Sequence, residues 1–209
     1  MIPTLEKYIQ TLPEGISSIS PERIDLLNEI ADYILAKKKS NQTVKMVFIC
    51  THNSRRSHLS QIWAATLAHQ FSISNIDTFS GGTEVTALNI RAVNALHRAG
   101  FNVISSGGDN PKYQVGFDQD AKPMLCYSKT YDAPENPKSD FAALMTCDHA
   151  DENCPLVSGS DARFSLYYSD PKEADDTPWE AERYEERLKQ IGTEIYYLMQ
   201  TVKTKIDER

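Results

Sequence analysis

The sequence predicts an α/β fold: one open, parallel sheet with helices on both faces. Three observations carry that reading. Short apolar runs alternate with segments of helical spacing through the middle of the chain, which is the pattern of strand, helix, strand units. A hydrophobic share of 40% over 209 residues is enough for one substantial core, and two full domains would be cramped. No internal repeat or low-complexity tract interrupts the pattern.

Residues 1–44 read as a helical N-terminal extension. Its clearest piece follows Ser20-Pro21, an N-cap residue and a first-position proline, with Ile24, Leu27, Ile30, Ala31 and Ile34 at helical spacing. Lys45 to Ile49 is a short β-like run that leads into Cys50. Ser57 to Phe71 is then helical, with Leu59, Ile62, Trp63 and Leu67 on one side. Asn75 to Phe79 reads as a strand, Ile90 to Ala99 as a helix stopped by Gly100, and Phe101 to Ile104 as a further strand.

From about 105 to 137 the turn pairs Gly107-Gly108, Asn110-Pro111, Lys122-Pro123 and Asn136-Pro137 surround β-like stretches at Tyr113 to Phe117 and Met124 to Tyr127. This predicts a surface insertion containing a hairpin. Phe141 to Thr146 is a buried-strand candidate that ends at Cys147. A long amphipathic helix begins at about Pro178 and carries Tyr184, Leu188, Ile191, Ile195, Leu198 and Val202.

The net charge of -7 argues against non-specific binding to nucleic acid or an anionic membrane surface, both of which attract basic faces. The first 40 residues mix charges among the apolar positions, unlike a secretory or transit segment, and no window approaches the roughly 20 apolar residues of a membrane span. A cytoplasmic location is expected. Four cysteines, Cys50, Cys126, Cys147 and Cys154, are too few for a disulfide scaffold of this size.

The segment Cys50-Thr51-His52-Asn53-Ser54-Arg55-Arg56-Ser57 sets a thiol at a strand end, an arginine six positions later and a helix immediately after. A loop of this kind turns backbone N–H groups and the helix dipole toward a bound oxyanion. Arg56 adds a planar fork suited to two oxygens of a tetrahedral anion. The same field favours the thiolate, because helix N-termini and nearby arginines lower a cysteine pKa from about 8.5 toward about 3.5 to 7.5. Thr51, Ser54 and Ser57 can hydrogen-bond the sulfur or the loop backbone, and Asn53 tolerates the left-handed geometry of tight loops. The bland alternative is a buried strand cysteine followed by a polar turn.

Here the sequence resembles the family that unites low-molecular-weight tyrosine phosphatases with thioredoxin-coupled arsenate reductases, whose signature C-x5-R-S is matched by Cys50 through Ser57. The likeness covers roughly residues 45–105 and 139–204. It implies a three-layer sandwich with a central parallel four-stranded sheet, a catalytic domain spanning 45–209 with the insertion inside it, Cys50 as nucleophile, and an oxyanion-binding loop from Thr51 to Ser57. Within that loop His52 and Arg55 are family-variable and are expected to tune its rim.

Cys147-Asp148-His149-Ala150-Asp151-Glu152-Asn153-Cys154-Pro155 resembles the C-x6-C-P redox loop of the reductases. A zinc reading, with His149 as third ligand, competes with it, although structural zinc sites space paired cysteines by about two to four and need four ligands. So does a reading of two unrelated buried cysteines. The resemblance implies instead a relay from Cys50 to Cys147 to Cys154, with thioredoxin as external reductant. His149, inside this segment, is a candidate to assist thiol deprotonation. Cys126 has no counterpart and reads as packing, and His58, His69 and His97 on their helices read as solvated or packed.

Ser169-Asp170-Pro171 stands where the family carries its acid, so Asp170 is expected to protonate a leaving oxygen. Lys172 and Glu173 follow it, where phosphatases typically carry aromatic residues. Some reductases hold potassium through an Asn, a Glu and a Ser; Asn53 and Ser80 match, but Gln61 replaces the Glu, which leaves that set incomplete. No bound metal or cofactor is otherwise expected. Arsenate reduction is the leading reading, with phosphomonoester hydrolysis second and a non-turnover oxyanion or redox sensor third.

Overall fold

The computed structural model describes residues 1–153 and 156–208. The N-terminal extension is helical, as the sequence predicts: α1 (Pro3–Ile9), a 3-10 segment (Leu12–Ser18) and α2 (Pro21–Lys39). At the start of α2 the Ser20 hydroxyl accepts the Arg23 N–H at 3.2 Å and Pro21 takes the first helical position. Leu27, Ile30, Ala31 and Ile34 are fully buried, so the extension packs into the same core as the rest of the chain.

The middle of the chain follows as β1 (Val44–Cys50), α3 (Arg56–Gln70), β2 (Ile76–Gly82), α4 (Ile90–Ala99), β3 (Asn102–Ser105), β4 (Tyr113–Gly116), β5 (Met124–Cys126) and β6 (Phe141–Met145). After α5 (Asp148–Asn153) come β7 (Ser160–Ser165), a second 3-10 turn (Pro171–Ala174) and the long α6 (Glu180–Asp207). Gly100 closes α4 in the left-handed conformation (φ 100°).

The central sheet has four parallel strands in the order β2-β1-β6-β7, flanked by helices. Alternate residues of β1 and β6 face opposite sides. Met46, Phe48, Ala142 and Leu144 join the large core with residues of α2, α3 and α6, whereas Val47, Ile49, Phe141, Ala143 and Met145 join a smaller cluster with Cys50, Cys147 and Ala150 of α5. None of the helices among the described residues is long and apolar enough to cross a membrane.

Two assignments differ from the sequence expectation. Phe101 to Ile104 forms a strand, yet it leaves the parallel sheet and pairs antiparallel with β4 in a separate sheet, β3-β4-β5. The fourth parallel strand is β7, for which the sequence predicts no element; at the sheet edge its Ser-Asp-Ala-Arg-Phe-Ser run alternates half-buried and exposed. The hairpin expected in the insertion is present, with Tyr113 opposite Cys126. It is more than a surface feature, because Tyr113, Val115, Phe117 and Cys126 are buried in the large core.

Candidate active site

Cys50 and Cys147 lie at the carboxyl ends of neighbouring parallel strands, where open α/β sheets place their ligand crevices. Ile49 pairs with Met145, and the Ile49 carbonyl accepts both the N–H (2.7 Å) and the hydroxyl (2.8 Å) of Thr146. The chain therefore delivers the two thiols side by side, both nearly inaccessible to solvent.

From Cys50 the chain wraps into the loop that ends at Arg56, the first residue of α3. The Cys50 sulfur lies 3.1 Å from the Ser57 hydroxyl, which also accepts an N–H of the Asn53 amide at 2.9 Å. Asn53 adopts φ 44°, the left-handed geometry expected of it, and its Oδ1 accepts the Lys129 N–H at 2.9 Å. Ser128 donates its hydroxyl to the His52 carbonyl at 2.9 Å, while Ser54 donates to Ala87 at 2.7 Å. The loop is thus tied from four directions.

Not every predicted loop residue offers its side chain to the centre. His52 is half-buried, and its Nε2 lies 3.4 Å from Glu84. Arg55, expected at the rim, turns inward: its Nε donates to the Tyr184 hydroxyl (2.6 Å) and its Nη2 to Asp175 (3.1 Å). Arg56 instead spans to the acid. Its Nη2 donates to Asp170 Oδ2 at 2.8 Å and its Nη1 to the Tyr168 carbonyl at 3.0 Å, while Asp170 Oδ1 accepts the Lys172 N–H. Arg56, Asp148, Tyr167, Tyr168, Ser169 and Asp170 line an opening of about 430 Å³ beside the loop.

Across the loop, Thr51 Oγ1 is 3.5 Å from the Cys147 sulfur and 3.2 Å from His149 Nδ1. The Ala150 N–H, in the first turn of α5, donates to the Cys147 sulfur at 3.4 Å. The same short helix is held through Asp151, whose carboxylate takes the hydroxyls of Ser165 (2.9 Å) and Tyr167 and the guanidinium of Arg163. Cys154, the third thiol of the expected relay, lies outside the described residues.

The three residues compared with a potassium site are already committed in part. Asn53 Oδ1 takes the Lys129 N–H, the Ser80 hydroxyl is 3.2 Å from His58 Nδ1, and the Gln61 amide donates to the Thr78 carbonyl. His58 is packed, in line with the expectation for helix histidines; burial, aided by the nearby Lys129 charge, lowers its pKa to about 3. Cys126 is likewise enclosed, and burial pushes its thiol up to about 12.

Sequence reasoning misses the buttress under the loop. Gly82 at the end of β2 admits the loop so closely that a Cβ there would lie 2.6 Å from the Thr51 carbonyl oxygen and 2.7 Å from the Asn53 nitrogen. Its N–H donates to the Lys129 carbonyl, and its own carbonyl accepts from Tyr131. The Gly81-Gly82 pair closing a strand was the available signal. Ser128 and Lys129 carried none, since one acts through a lone hydroxyl and the other through backbone groups, both brought from the insertion.

No family model matches the chain. A protein named arsenate reductase from Halalkalibacterium halodurans is 25% identical over 157 residues, which is 75% of this chain and 95% of that relative. Among solved structures, a low-molecular-weight phosphotyrosine phosphatase from Vibrio cholerae O395 superposes with a TM-score of 0.51 at 15% identity, over 76% of this chain and 95% of that one. A low-molecular-weight protein tyrosine phosphatase from T. tengcongensis gives 0.50 at 14% identity, covering 76% and 99%. With this sheet order and a Cys50-to-Ser57 loop at the end of its first strand, the chain has the fold of the low-molecular-weight phosphotyrosine phosphatases.

Proposed function

We propose that the protein reduces arsenate to arsenite through Cys50, Cys147 and Cys154. The observation that carries this reading is the second buried thiol, Cys147, just past the end of the strand next to that of Cys50 and within 3.5 Å of the loop residue Thr51. Hydrolysis alone gives that thiol no task. The relative named arsenate reductase points the same way.

In this scheme the Cys50 sulfur attacks arsenic while loop N–H groups and Arg56 hold the oxygens, and Asp170 gives its proton to the oxygen that leaves as water. Cys147 then attacks the Cys50 sulfur. The sulfur–arsenic bond breaks with its electron pair passing to arsenic, so arsenite leaves and a Cys50–Cys147 disulfide remains. Cys154 attacks Cys147, releasing Cys50 and leaving a Cys147–Cys154 disulfide for an external dithiol such as thioredoxin to reduce. The protein itself then needs no bound cofactor.

Phosphomonoester hydrolysis is the second reading, favoured by one specific observation: Arg56 and Asp170 are already joined beside the loop, which is the equipment a phosphoryl leaving group needs. The deciding assay is arsenate-dependent NADPH oxidation with thioredoxin and thioredoxin reductase, with Cys147→Ser as control. Turnover that vanishes in the control supports the relay. Absence of turnover beside brisk aryl phosphate hydrolysis makes the chain a phosphatase.

A further inference from the structure

The N-terminal extension reaches the acid side of the site through one arginine. Arg23, in the first turn of α2, donates from Nη2 to the Tyr167 carbonyl at 2.5 Å. Its guanidinium carbon lies 5.4 Å from the centre of the Tyr168 ring, and its Nε is 3.6 Å from Glu194 Oε2 on α6. Tyr168 and Glu194 are 3% and 4% exposed. Burial raises the pKa of the Glu194 carboxyl and the Arg23 charge opposes that rise.

The peptide so gripped is the one the site depends on. The Tyr168 carbonyl receives Arg56 Nη1, its N–H donates to the Thr146 carbonyl beside Cys147, and Asp170 follows two residues later. We propose that Arg23 is a positioning residue for the oxyanion site, joining Glu194 and the Tyr168 ring to fix the Tyr167–Tyr168 segment, whose Tyr168 carbonyl holds Arg56 and which leads into Asp170. This rests on the reading of Cys50, Arg56 and Asp170 as an oxyanion site, and it holds for either reaction.

With Glu194 buried and Arg23 half-buried, this pair is a poor way to gain stability, because taking charge out of water offsets much of the attraction. Its use here is directional. A guanidinium can meet a carbonyl, a ring and a carboxylate at once in fixed directions, which an ammonium cannot. The extension thereby becomes part of the machinery that shapes the site.

The test needs no turnover. Phosphate protects Cys50 from iodoacetamide to a degree that reports its dissociation constant, and peptide mapping follows Cys50 alone. Arg23→Ala and Arg23→Lys, both checked as folded by circular dichroism, are expected to weaken phosphate binding about tenfold, the loss of one charge-assisted contact. Arg23 and Glu194 line an open cavity of about 530 Å³ with Gly15, Ser18, Gln190 and Thr193, so millimolar guanidinium ion can enter and is expected to restore most of the affinity in Arg23→Ala.

Wild-type affinity in the folded variants overturns the proposal, as does a loss in Arg23→Ala that guanidinium leaves unchanged. If Arg23→Ala does not fold, Arg23→Lys decides. A wild-type protein in which phosphate gives Cys50 no protection overturns the oxyanion reading itself, an outcome distinct from failure of the arginine's role.

Discussion

The oxyanion loop and the segment that begins at Cys147 sit side by side at the end of the sheet, and they are held in opposite ways. The loop is fastened on every side, by the Asn53 side chain to Ser57 and Lys129, by the His52 carbonyl to Ser128 and by the close approach of Gly82. Among the described residues, the Cys147 segment is a short helix whose side-chain ties centre on one carboxylate, Asp151. Binding a tetrahedral anion rewards fixed donors. Passing a disulfide from one sulfur to the next requires a backbone that moves, and a single latch is easier to release than a web.

The largest effect should come from Cys50→Ser, which removes the nucleophile common to both readings and is expected to reduce both arsenate turnover and aryl phosphate hydrolysis to background. Survival of either activity would detach it from the loop. Cys147→Ser sharpens the comparison: arsenate turnover is lost, while hydrolysis stays within about a factor of two, as for a residue absent from that transition state. Equal loss of both would mean that the two regions do not have separate tasks.

A pH series probes the rigid region. His58, beneath the loop, has a folded-state pKa of about 3 against an ordinary value of 6.5. The unfolded chain takes up this proton as pH falls below 6.5 and the folded chain does not until about 3. Stability is therefore full above the upper value and is lost on acidification through that window, by about tenfold in the folding constant per pH unit. Urea unfolding of His58→Gln should show a shallower slope with pH than wild type; equal slopes would remove His58 from the account.

Asn53→Ala removes two buried hydrogen bonds and places alanine at positive φ, so a loss of about 1–3 kcal/mol in stability is expected, together with weaker phosphate protection of Cys50. The smallest effect should be Tyr167→Phe, which takes one hydroxyl from Asp151. Alkylation of Cys147 should quicken about three- to tenfold while that of Cys50 is unchanged, in keeping with the loss of one hydrogen bond to a charged group. Parallel acceleration of both thiols would show that the loop and the latch open together.

Much of this site was legible in the sequence because its parts are local. A strand, a thiol, an arginine six residues on and a helix occur within Val44 to Gln70, and the left-handed Asn53 and the Ser20 cap follow from side-chain chemistry at single positions. What was hidden is non-local. Strand β7 has no apolar run, since an edge strand leaves alternate residues in water, and β3 looks the same whether its partner is parallel or antiparallel. The contacts of Ser128, Lys129 and Arg23 join elements far apart in the chain, and no periodicity records them.

The most direct test of the central claim is a single turnover of fully reduced Cys154→Ser with arsenate, followed by acid quenching and nonreducing peptide mapping. The relay predicts that one equivalent of arsenite is released and that the peptides of Cys50 and Cys147 are recovered joined by a disulfide. Arsenite release without that linkage, or a linkage that forms equally without arsenate, would contradict it.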